Sequence, residues 1–182
     1  MTFDEGQLFP FKPIKDINYQ FIPRQLYCVK QANVLKQNYE QKNGFKYDIV
    51  VRIRPDLFLL DDTALDNDIE NQEMDSVYML DHDNWHGYCD RFYFSNSENM
   101  DMITDQFDWI NYYSKIGGRN YGEGLLQFVT DYQGINVKRV GLKTCLLRTN
   151  GEQEGELIHA KNGTIRVEED GRIFHLVDNS YI

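Results

Sequence analysis

The segment Tyr47 to Leu60, YDIVVRIRPDLFLL, constrains the fold more than any other stretch of the chain. So many β-branched and large apolar residues in so short a length predict an interior β-strand. Alternation along it puts Ile49, Val51 and Ile53 on one side and Val50, Arg52, Arg54 and Asp56 on the other. Pro55 has no N–H to give a ladder, so pairing is predicted to end near it, with Arg52, Arg54 and Asp56 at the carboxyl end of a buried strand.

The elements around this strand read as α/β. From Arg24, the apolar residues Cys28, Ala32, Leu35 and Tyr39 recur at helical spacing, Pro23 suits a first turn and Gly44 can close the end, predicting a helix over roughly 24–42. Beyond an acidic stretch, SVYML and RFYF read as short strands separated by a loop over 81–90. Ser95 opens an S-x-x-E capping box ahead of a helix over roughly 98–115. Gly117 and Gly118 end that helix, and another is predicted from about Gly122 to Tyr132, closed by Gly134. The strands INVKRV and TCLLR come next, then turn signals around TIRV and RIFHLV that predict a terminal hairpin. The expected class is α/β, a mixed sheet flanked by helices. Residues 1–23, with Pro10, Pro13 and Pro23, form an irregular arm or a truncated start, and 24–182 form one domain with a hairpin-like tail.

Composition narrows the function. With 182 residues, 41% of them hydrophobic, the chain can furnish a core. A formal net charge of −10 repels phosphate backbones, so no nucleic-acid partner is expected, and an anionic ligand would need a local basic cluster or a metal. No apolar run reaches the roughly 18 residues of a membrane span, and the acidic start is unlike a signal peptide, so the expected location is cytoplasmic. Cys28, Cys89 and Cys145 are too few and too widely spaced for a disulfide framework or thiolate zinc site.

Several residues could carry chemistry. Arg52, Arg54 and Asp56 form either an ion pair that satisfies its own charges or a ligand site beyond a strand end, where a carboxylate holds a divalent cation and arginines meet phosphate. Asp81, His82, Asp83, His86 and Asp90 crowd one loop, a density that can serve a metal or supply a base, although it matches no closed metal motif. Glu123 starts an apolar helix, where the helix dipole alone favours a carboxylate, but it could also take a proton from an acceptor hydroxyl. Trp85 and Trp109 read as core, with Trp85 able to stack on a sugar or base; His159 and His175 read as plain hairpin residues. GxGxxG, GxxxxGK[ST] and GxSxG are all absent.

Three blocks, YDIVVRIRPDLFLL, GYCDRFYFSNSENMDMI and YGEGLLQFVTDYQGINVKRV, together resemble small GT-A-like glycosyltransferases of bacterial polysaccharide loci and large DNA viruses, over about residues 24–148. The resemblance implies that R-x-R-P-D stands where that fold carries its DxD motif, with Asp56 matching the metal-binding aspartate and Arg54 replacing the first acid. It likewise implies an acceptor-side or metal-side role for Asp90, and a base role for Glu123 in a P-E-x-x-L-like helix start where Gly122 replaces proline. The implied activity is transfer of a sugar from a nucleotide-diphosphate donor to a glycan hydroxyl, with Mn²⁺ or Mg²⁺ at Asp56 and Arg52 or Arg54 assisting at the diphosphate. The strand, loop and helix that bind the nucleotide in such enzymes have no counterpart before Arg24, which predicts either a fragment or a degenerate core serving as a non-catalytic glycan-binding or assembly module.

Overall fold

The computed structural model describes residues 21–59, 69–70, 73, 75–84, 86–118, 121–147, 153–154, 165–167 and 173–176. The α/β class with a mixed sheet holds. The chain divides into two compact units, one comprising residues 1–52 and 72–139 and the other residues 53–71 and 140–182.

The first unit opens with α1 (Phe21–Asn43), close to its predicted span. It ends as its sequence suggests: Gly44 adopts φ +69°, and the N–H groups of Gly44 and Phe45 both donate to the Glu40 carbonyl, at 2.9 and 3.2 Å. The apolar residues that recur at helical spacing do not form its inner face. Cys28, Ala32, Leu35 and Tyr39 face solvent, while Leu26, Asn33 and Glu40 are buried. Polar residues can occupy the inner stripe because each has partners there. The Asn33 amide donates to Asp101 at 2.9 Å, and the Glu40 carboxylate accepts from Ser97 Oγ at 2.6 Å and from the Tyr47 N–H at 2.9 Å.

Strands β1 (Val50–Ile53), β3 (Ser76–Leu80), β4 (Phe92–Ser95) and β5 (Asn136–Val140) form a four-stranded sheet in the order β1-β4-β3-β5. β3 and β4, antiparallel and central, are buried at every position, which is why SVYML and RFYF are nearly continuous apolar runs. Strand β1 lies at the edge, and Val51 and Ile53 are each 45% exposed, so the interior strand expected from IVV is an edge strand.

The expected single helix over 98–115 is two helices, α2 (Ser97–Thr104) and α3 (Gln106–Lys115), parted at Asp105. The N-cap of α2 is Asn96, whose side chain accepts from the Asn99 N–H at 2.8 Å; Ser95 instead finishes β4 and donates to the Ser76 carbonyl. The expected capping box is thus replaced by a single N-cap one residue later, because asparagine caps as well as serine does. Helix α4 (Gly122–Tyr132) has its predicted bounds. Leu26, Ile110, Leu125 and Val129 join α1, α3 and α4, while Val77, Met79, Tyr93, Met100, Ile103 and Leu126 join sheet and helices.

In the second unit, β2 (Leu57–Leu59) pairs antiparallel with β6 (Thr144–Leu147), and β6 with β7 (Gln153–Glu154). The terminal hairpin is present as β8 (Ile165–Val167) against β9 (Ile173–Leu176). The opening segment is therefore two strands of two sheets, divided by a turn at Pro55 and Asp56, rather than one strand reaching Asp56.

Candidate functional site

In the first unit, three sequence-selected residues gather near the start of α4. Arg52, the third residue of β1, has a side chain only 12% exposed; its Nη2 lies 4.0 Å from Asp90 Oδ2, and Asp90 is similarly covered at 15%. The guanidinium lies 5.4 Å from the centre of the Tyr93 ring, a cation–π contact available because Tyr93 is buried on the neighbouring strand β4. Burial pushes the Tyr93 phenol up, with the charge of Arg52 opposing it, so that ring stays a neutral support. Gln25, on α1, donates its amide to the same Asp90 oxygen at 2.7 Å. Nη1 of Arg52 is buried with no hydrogen-bond partner among the described residues.

The backbone of α4 comes in closely. A methyl group on Gly122 would sit 3.5 Å from Asp90 Oδ2, so the first residue of the helix abuts this carboxylate. The preceding Tyr121 provides no side-chain cap. Glu123 is next in the helix and half-buried, which brings a second carboxylate to this helix start.

Glycines set this geometry. A Cβ on Gly87 would lie 2.0 Å from the Glu123 carbonyl oxygen, so the loop over 81–90 rests flat on the first turn of α4, where the Tyr88 N–H donates to that oxygen at 3.0 Å. On Gly124 a Cβ would meet the Tyr113 hydroxyl at 2.8 Å. The same loop bends through Asp83 and His86, both at positive φ, 56° and 59°. Three of its groups are engaged nearby: Asp83 takes His82 Nδ1 at 3.0 Å and also pairs with Arg91, and the His86 ring lies 5.2 Å from the ring of Tyr121.

In the second unit, Arg54 and Asp56 form a fork-to-fork ion pair, Nε to Oδ1 at 2.9 Å and Nη2 to Oδ2 at 2.7 Å. Both oxygens of Asp56 are thereby committed to Arg54. Among the described residues no three histidines, cysteines or carboxylates gather into a metal-holding group. The divalent cation implied at Asp56 thus does not fit this arrangement, since a hard cation takes several oxygen ligands at once, and no chemical step is derived through it. Trp85 and His159 lie outside the described residues, as does the side chain of His175.

Sequence reasoning selected Arg52, Asp90 and Glu123 but missed Gln25, Tyr93 and the packing glycines. Gln25 carries no local signal. The pairing of HGY with GEG, glycines flanking a carboxylate and a histidine, was the available clue to two backbones in contact. No helix among the described residues is long and apolar enough to cross a membrane. Set against known protein families, curated proteins and solved structures, the chain matches none.

Proposed function

We propose that this chain transfers a sugar from a nucleotide-diphosphate donor to a glycan hydroxyl. The observation that carries the reading is Arg52, a covered guanidinium set beside Asp90 where α4 begins. A guanidinium in a sheltered place suits a diphosphate oxygen, and it gains most as negative charge builds on the leaving group. In the transfer, the bond from the anomeric carbon to the diphosphate oxygen breaks as the acceptor oxygen bonds to that carbon. The acceptor proton passes to a carboxylate, and the electron pair leaves with the diphosphate.

Asp90 suits the carboxylate role because Gln25 holds one of its oxygens and leaves the other for an acceptor. Glu123 is the second acid within the same helix start. The test is donor turnover with a panel of nucleotide sugars, with and without Mn²⁺, in wild type, Arg52→Met and Asp90→Asn. Wild-type turnover that falls about 100-fold in each variant supports the assignment. Turnover unchanged in both variants refutes it.

The closed Arg54–Asp56 pair favours a second reading, a glycan-binding or assembly module without catalysis. Silence with every donor, together with retained oligosaccharide binding, would select it.

A further inference from the structure

The end of α1 carries a feature that shares no residue with the Arg52 and Asp90 cluster. Gln37, Gln41, Phe45 and Lys46, with Glu40 and Gly44, line a shallow depression of about 490 Å³. Phe45 is 40% exposed and is backed by two tyrosines, Tyr39 at 6.0 Å and Tyr47 at 4.9 Å between ring centres. One residue organises this wall. The Glu40 carbonyl accepts the N–H groups of Gly44 and Phe45, and its carboxylate accepts from Lys46 and from the N–H of Tyr47. Glu40 thus fixes the backbone at Phe45 through its carbonyl and at Tyr47 through its buried carboxylate, and the rings of Tyr39, Phe45 and Tyr47 each keep part of their surface in solvent.

Charge identifies the class of ligand. Lys36 and Lys46 both pair with Glu40 and with Asp101, two cations against two carboxylates, and Glu40 itself is only 1% exposed. In a chain of net charge −10, the depression thus has balanced local charge and presents no open acid from Glu40. It presents two amides one helical turn apart, each able to donate and accept. It also presents the ammonium of Lys46, whose two described partners leave one of its three donors. An aromatic ring beside paired amides, without net charge, matches the hydroxylated edge and C–H face of a neutral pyranose. The volume is that of a small-molecule site. The three partly exposed rings offer roughly 300 Å², well short of the roughly 800 Å² per partner of a stable protein interface.

We infer that this depression is a binding site for neutral pyranosides, with Phe45 as the stacking ring and Gln37, Gln41 and Lys46 as the hydrogen-bonding groups. The inference does not rest on the transfer reading, because it concerns binding at residues that reading does not use.

The test is titration of the full ¹⁵N-labelled chain with α- and β-linked oligosaccharides of glucose, galactose, mannose and N-acetylglucosamine, with oligomers of glucuronate as an acidic arm. At least one neutral oligosaccharide should give saturable amide shifts at Gly44, Phe45 and Lys46, with Kd of about 0.1–10 mM. Phe45→Ala should weaken that binding at least about tenfold while the remaining spectrum keeps its dispersion. Gln41→Leu, a solvent-facing change that leaves the aromatic wall intact, should weaken it several-fold. The absence of saturable shifts with every neutral oligosaccharide overturns the site, as does equal binding by Phe45→Ala or tighter binding of glucuronate oligomers. A concentration-dependent dimer in sedimentation that Phe45→Ala disperses would also overturn it, by making the wall a contact between copies.

Discussion

Replacing Glu40 by glutamine keeps the side chain's shape but removes a buried charge around which several donors are arranged. Burial by itself raises this carboxyl's pKa, but hydrogen bonds from Ser97, the Tyr47 N–H and Lys46, with the charge of Lys36, outweigh it and hold the group at about 2 instead of 4.5. That difference corresponds to about 3 kcal/mol favouring the ionised native state, reduced toward about 2 because Lys46 is half-exposed and its share is screened. Glutamine also leaves Lys36, only 10% exposed, with Asp101 as its remaining carboxylate. At pH 7 the variant should therefore be less stable by about 2–4 kcal/mol.

The pH dependence has a definite sign. The native pKa lies below the unfolded one, so the contribution is complete above pH 4.5 and is lost as pH falls from there toward about 2. Urea unfolding monitored by circular dichroism at a series of pH values should show wild type and Glu40→Gln converging over that window. A gap below about 1 kcal/mol at pH 7, or one that stays constant from pH 7 down to about 2, would refute the reasoning.

Elsewhere in the fold, Gly87→Ala should cost at least about 2 kcal/mol in chemical denaturation, because the new methyl would meet the Glu123 carbonyl rather than a side chain that can turn away. Asp56→Asn should cost about 1 kcal/mol or less, since both members of its bidentate pair with Arg54 are about a quarter exposed; a loss above about 3 kcal/mol would assign the pair a structural weight that its exposure denies it. A thiol reagent at pH 8 should label Cys28 well before Cys89, whose thiol burial pushes up to about 11, and mass mapping of the first adduct checks this. Gln25→Leu should lower any donor turnover without unfolding the chain, with partial recovery in Gln25→Asn if the amide's hold on Asp90 is what matters.

Much of the chain is legible from its residues wherever the signal is local. Apolar periodicity and glycine stops locate α1 and α4, and turn residues locate the terminal hairpin. Local chemistry is less decisive where two neighbours compete for one job, as when Asn96 rather than Ser95 caps α2. The inner face of α1 is hidden from such patterns because apolar spacing reports which side could be buried, whereas Asn33 and Glu40 become inner residues through partners more than fifty residues away.

The segment YDIVVRIRPDLFLL shows the division most sharply. Its residues alone determined that a strand runs up to Pro55, where pairing ends, and that charge comes after the apolar IVV run. Only tertiary structure decided that the strand lies at a sheet edge, and that Arg52 turns to Asp90 while Arg54 closes on Asp56. The physical reason is that a charged side chain is directed by the partner that offsets its desolvation. For Arg54 that partner is two residues away, whereas for Arg52 it is 38 positions along the chain, beyond the reach of any local pattern.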